Sequence, residues 1–261
     1  MQVPSIEVGD RVSVALETNG KGVLGYIVQL PGGFVRGATE RDALAKVPLE
    51  VKSYVRWLGL KPGGKMRTTI VQWHQSAVAV QDADNDILLD ADRRPFRPGE
   101  FDLLSHLVRW SGRTFAKLYE EAELKDWVDE ERLRRTFYGN NPHSIQEIFD
   151  HVKGCHHYYL SRLNAQCPVD TDEFVAIRDS CAGELQRLYD NGFNSTVFQV
   201  DNEFWTIKKV FRRIIWHDRI HGKAIVRILE KQQRLGLIDG YRDPFRFLKA
   251  CLRGPRNLPS L

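Results

Sequence analysis

Trp216-His217-Asp218-Arg219-Ile220-His221 sets two histidines four residues apart inside a long stretch of helical periodicity. On a helix, residues i and i+4 lie on one side, a turn apart, so two imidazoles at this spacing can share one metal ion. Val210, Ile214, His217, His221, Ala224 and Ile228 follow one another in steps of four, three, four, three and four. Both histidines therefore fall within the apolar stripe that faces an interior. A buried neutral imidazole needs a partner for each ring nitrogen, and a shared metal gives one to each ring.

Working outward, this helix is expected over residues 202–235 and to stop at Gly236. Three others precede it. The first covers 100–123, with Phe101, Leu104, Leu107, Val108, Phe115 and Leu118 on one face. The second covers 144–163 and opens on a capping box of Ser144 and Glu147. The third covers 172–189 and ends before Asn191-Gly192. Four helices with connections of varied length predict a four-helix bundle.

Two ligands bind a metal poorly. His151, on the second helix one turn from Ile148 and from Cys155, is the best third ligand. His106, His143, His156 and His157 are alternative donors, Cys155 is a soft one, and Tyr158 and Tyr159 read as packing residues. Three imidazoles with a position left open describe a catalytic rather than a structural site. Imidazole suits Zn, Ni, Fe or Cu without choosing among them. Arg213 and Arg219 are candidates to hold an anionic substrate, and Asp150 or Asp218 to orient a ligand histidine. Adjacent helical residues point about 100° apart, so neither aspartate easily reaches its own neighbour.

The first hundred residues have a different texture. Val12-Ser13-Val14-Ala15-Leu16 and Gly25-Tyr26-Ile27-Val28-Gln29-Leu30 read as strands of a hairpin around Asn19-Gly20-Lys21-Gly22. Phe34-Val35-Arg36-Gly37-Ala38 is a third extended piece. Thr39 caps a helix with apolar residues at helical spacing to Leu58, interrupted at Pro48. Lys61-Pro62-Gly63-Gly64 is a loop, residues 69–80 are a further strand, and 82–98 form a linker, acidic and then proline-rich. The fold class is α+β: a small N-terminal domain over 1–95, then an all-α bundle over 96–261 with a basic C-terminal extension.

Bulk properties narrow the function. The 261 residues suit two domains, 42% are apolar and 28% charged, and the net charge is +4. No run approaches the roughly 20 apolar residues of a membrane span, and the first residues lack the pattern of a secretion signal. Cys155, Cys167, Cys181 and Cys251 form no C-x-x-C pair and read as free thiols. The expected setting is the cytoplasm. Residues 211–261 hold 12 Lys/Arg against 4 Asp/Glu, which reads first as a solvated helix face and second as a nucleic-acid or anion surface.

The second half, over about 100–234, resembles the DinB-like superfamily of metal-binding four-helix bundles. Glu147-Ile148-Phe149-Asp150-His151-Val152 looks like its first ligand element, and Ile214-Ile215-Trp216-His217-Asp218-Arg219-Ile220-His221 like its H-x-x-x-H element. The resemblance implies a divalent metal (Zn, Ni or Fe) on His151, His217 and His221. It also implies a thiol-dependent transferase or a hydrolase acting on a small-molecule substrate. The superfamily includes bundle domains of sulfoxide synthases, which also carry a lectin-like domain with no counterpart here. The first 60 to 80 residues resemble the HicB-like antitoxin fold, through Gly25-Tyr26-Ile27-Val28-Gln29-Leu30-Pro31-Gly32 and then Gly37-Ala38-Thr39-Glu40-Arg41-Asp42-Ala43-Leu44. That resemblance implies a protein partner for the N-terminal domain, with the metal then bracing the bundle. A third reading, nucleic-acid binding by residues 242–256, ranks last. A homodimer is the expected assembly, and no membrane is expected.

Overall fold

The computed structural model describes residues 6, 9–61, 63–64, 66–136, 139–168 and 171–252. The reading of the N-terminal residues 1–5, Pro62 of the loop, the side chain of Cys251, and Arg253 and Arg256 of the basic end lie outside what is described. The architecture is mixed α+β, an N-terminal sheet followed by a helical region. The described residues divide into two compact units, one holding 88–245, the other 6–87 and 246–252.

The sheet unit opens with β1 (Arg11–Thr18), β2 (Val23–Ile27) and β3 (Phe34–Gly37). The hairpin loop turns at Gly20, whose φ of 83° suits a residue without Cβ. Thr18 Oγ1 fixes it, accepting from Gly20 N at 3.1 Å and donating to Gly22 O at 2.8 Å. Helix α1 (Glu40–Leu44) starts at Thr39, whose hydroxyl accepts from Asp42 N at 3.2 Å. Helix α2 (Val47–Trp57) takes Pro48 into its first turn, where the missing N–H costs nothing, so the interruption seen in the sequence separates two helices. The strand β4 (Arg67–Gln75) then returns parallel to β1, giving the order β3-β2-β1-β4 with β4 at an edge. Val14, Leu16, Leu24, Tyr26, Val51 and Tyr54 lie in the core of this unit. Val71 and Trp73 on β4 are each 51% exposed.

The helical unit starts with the short α3 (Asp90–Arg93) and the long α4 (Glu100–Glu120). A two-residue pairing of β5 (Arg135–Thr136) with β6 (Gly139–Asn140) precedes α5 (Ile145–Ser161), and α6 (Phe174–Asp190) follows. Ser144 caps α5, its hydroxyl accepting from Glu147 N at 3.1 Å. The last long helix, α7 (Ile207–Arg234), begins later than its periodicity suggests. Residues ahead of it form a hairpin, β7 (Phe198–Val200) with β8 (Glu203–Trp205). Asp201 and Asn202 turn it with φ of 51° and 63°, a pair of left-handed residues that fits the twist of two strands and cannot start a helix. Helices α4 and α5 each pack against both α6 and α7. A final short helix, α8 (Lys249–Leu252), packs on α2 of the sheet unit. Among the described residues no helix is long and apolar enough to cross a membrane.

Candidate metal centre

Helix α7 is buried over most of its length because it packs against both α4 and α5. Thr206 caps its start, accepting from Lys209 N at 3.1 Å, and so sets the phase that turns His217 inward, 7% exposed. Helix α5 brings His151 to the same place. Its Nε2 lies 3.1 Å from His217 Nε2. His221, one turn beyond His217, completes a triangle of rings. The centroids are 5.0 Å apart for His151 and His217, 4.8 Å for His151 and His221, and 4.4 Å for His217 and His221.

Cys155, one turn after His151, adds a sulfur 4.0 Å from His151 Nε2. One donor atom each from His151, Cys155 and His217 lies within 4.8 Å of the others, and this group can hold a metal ion. The atomic convergence thus takes in Cys155, while His221 meets the other two imidazoles ring to ring. Burial holds all three histidines below the ordinary imidazole range, His217 and His221 well below it. Neighbouring imidazoles and Arg213 add to the effect on His217, as do His151, Arg132 and Arg227 on His221. The rings are therefore neutral at pH 7, the form that offers a lone pair to a metal. Burial pushes the Cys155 thiol up to about 11, with the charge of Arg213 pulling the other way. Nitrogen and sulfur donors, with His217 buried and His151 and Cys155 half-buried, suit a borderline-soft divalent ion.

A second network lies at the next angle around α7. Asp218 is fully buried and accepts from Arg178 Nη1 and Nη2 at 2.6 and 2.8 Å, and from Ser111 Oγ. Arg178 Nε donates to His156 Nε2 at 2.7 Å, and Arg178 Nη1 also reaches Val108 O at 3.1 Å. One guanidinium therefore ties together α4, α5, α6 and α7. Asp218 serves Arg178 and not the histidine beside it, and Asp150 accepts from Gln146 Nε2 at 2.9 Å.

The other candidates separate cleanly. His156 has both ring nitrogens engaged, Nδ1 with Lys153 O at 2.8 Å and Nε2 with Arg178. His157 is exposed, His106 stacks on Trp110, and His143 pairs with Glu147. Tyr158 is exposed and Tyr159 buried. Arg213 lies over the rings of Trp216 and Trp205 at 5.1 and 5.5 Å, and Arg219 is fully buried. Arg212 and Lys223 are also buried, so the first part of this basic stretch lies inside, whereas Arg234, Arg242, Arg246 and Lys249 farther on are exposed, as its composition suggests.

Sequence reading missed Arg178. Its signal was present: Phe174, Ile177, Arg178, Cys181, Ala182 and Leu185 form one stripe of α6, so Arg178 occupies a core position. Gly112 on α4 makes room, since a Cβ there would stand 2.9 Å from Arg178 Cγ. Also missed was a group in the sheet unit, Glu17, His74 and Asp86. No family model, curated protein or solved structure matches this chain.

Proposed function

We propose that the helical unit is a DinB-like bundle that binds one divalent metal through His151, His217 and His221 and acts as a metal-dependent enzyme of the thiol-transferase or hydrolase type. The observation that carries the reading is the convergence of three neutral imidazoles from two helices, with the Nε2 atoms of His151 and His217 3.1 Å apart. Without a metal the two nitrogens share a single proton, and His221 crowds them further. A bound Zn, Ni or Fe would lower the pKa of a water or thiol on it. The chain's own residues supply the rest. The buried His217 and the half-buried His151 and His221 would hold the metal, and the Arg213 guanidinium adds a positive charge that favours an anionic substrate. Cys155 is either a fourth donor or a neutral thiol beside the imidazoles.

The test is elemental analysis of protein purified without a metal-binding tag. About one equivalent of metal is expected, lost in His217→Ala and in His221→Ala and kept in His106→Ala. Full occupancy in both of the first two variants would overturn the ligand assignment. Cys155→Ser separates the donor sets: retention leaves the imidazoles sufficient, and loss brings the sulfur into the shell. Thiol-transfer and hydrolytic substrates are then screened with the loaded protein.

A second reading, a HicB-like protein-binding module whose bundle metal is only structural, is favoured by one feature. The edge strand β4 presents Val71 and Trp73 to solvent. Co-purification of a small basic protein with the sheet unit, and loss of that partner in Trp73→Lys, would support it over the enzyme.

A further inference from the structure

The sheet unit holds its own set of metal-ligating side chains. Glu17, near the end of β1, and His74, near the end of β4, are partners in register on neighbouring strands, so their side chains leave the same face. Asp86, in the stretch of chain that follows β4, closes the group. His74 Nε2 lies 2.7 Å from Asp86 Oδ1, and Ser76 Oγ donates to that oxygen at 2.9 Å. Glu17 is held firmly. Its Oε1 accepts the backbone N–H of Asp86 at 2.7 Å and of Ile87 at 3.1 Å, and its Oε2 accepts the Tyr26 hydroxyl at 2.9 Å. One donor atom each from Glu17, His74 and Asp86 lies within 4.8 Å of the others. Glu17 is fully buried, whereas the side chains of His74 and Asp86 are 36% and 32% exposed, so the group opens to solvent on one side.

Two carboxylates in one corner repel unless a proton or a cation lies between them. An imidazole beside them is a third ligand of the kind a divalent ion takes. The geometry points to a second divalent-cation site in this protein, formed by Glu17, His74 and Asp86 and suited to Mn²⁺. Two carboxylates and one imidazole are a harder donor set than the nitrogen and sulfur atoms of the helical unit, so the two sites differ in the ions they prefer. The inference stands apart from the function proposed for the bundle and shares no residue with it.

The experiment titrates Mn²⁺ into chelator-treated full-length protein and follows the loss of the free-ion EPR signal. Using His151→Ala/His217→Ala as the background leaves only the sheet unit to count. One equivalent of Mn²⁺ is expected to bind there. Adding His74→Ala, or separately Asp86→Asn, removes it while the far-UV circular dichroism stays unchanged. The same loss is read in the wild-type background, where His74→Ala lowers total uptake by one equivalent even if the double variant does not fold. Uptake untouched by both His74→Ala and Asp86→Asn overturns the site, as does a folded double variant that takes up no Mn²⁺.

Discussion

The two units bury charge in opposite ways. In the helical unit a buried carboxylate, Asp218, is answered by the guanidinium of Arg178 from another helix. In the sheet unit a buried carboxylate, Glu17, is answered by backbone N–H groups of Asp86 and Ile87 and by a tyrosine hydroxyl. The difference follows from where donors are free. Inside a long helix each backbone N–H is already bonded to the carbonyl four residues back, so compensation must come from a side chain. At the end of a strand, a loop still has backbone N–H groups to give. The consequence shows in protonation. Burial first, and then Asp86, raise Glu17 to about 7, a value at which the acid is partly protonated at neutral pH.

The largest effect tests the ion pair. Arg178→Met leaves Asp218 buried without its cation and is expected to cost about 3–5 kcal/mol. The urea midpoint reads this loss, and Arg178→Met/Asp218→Leu should recover much of it. A single variant within about 1 kcal/mol of wild type would erase the contrast between the units.

The next effect is of opposite sign in the two units. His156 accepts from Arg178 and is held at about 3, by burial first and then by the Arg178 charge, with His157 adding to it and the Lys153 carbonyl opposing. Its folded value lies below its unfolded one, so its contribution is complete above about pH 6.5 and is lost as pH falls, by about 1.4 kcal/mol per unit. Glu17 has a folded value above its unfolded one. Its contribution is complete below about pH 4.5 and is lost as pH rises through about 7, with a similar slope. Asp86, Tyr26 and His74 face Glu17. Chemical denaturation of metal-free protein across this range, repeated in His156→Gln and Glu17→Gln, should flatten one slope in each variant. Identical profiles in all three proteins would break the comparison.

Gly112→Ala sharpens it. The added Cβ meets Arg178 Cγ at 2.9 Å and Nη1 at 3.1 Å. A loss of about 1–3 kcal/mol in thermal or urea unfolding is expected. The smallest effect lies on the exposed edge of the sheet, where Trp73→Thr should stay within about 0.5 kcal/mol of wild type. A larger loss would show that β4 carries stability its exposure does not suggest.

What could be read from the sequence was what depends on near neighbours. The four-residue spacing of His217 and His221 and the phase of their stripe describe one helix, and that helix forms. The hairpin of β1 and β2, the caps at Thr39 and Ser144, and the break at Pro48 are local in the same sense. What escaped depends on distance along the chain. Glu17 is an unremarkable polar residue until loop residues 69 and 70 positions later bring their N–H groups to it. Arg178 reads as a surface arginine unless its stripe is followed, because its partner Asp218 lies 40 residues on. The start of α7 was misplaced because Asp201-Asn202 suits a helix entry by composition and a left-handed turn by conformation.

The return of the chain after Phe245 has a consequence for how the molecule is made. Arg246 Nη1 reaches the carbonyl of Arg56 at 3.4 Å, α8 packs on α2, and Leu252 is buried. The sheet unit is thus assembled from both sides of the helical unit in sequence. During synthesis β1 to β4 leave the ribosome early and wait for a closing piece that arrives only after α7 has been translated. A ribosome stalled at residue 245 would hold a sheet unit without α8, more open to protease than the same strands in the released protein.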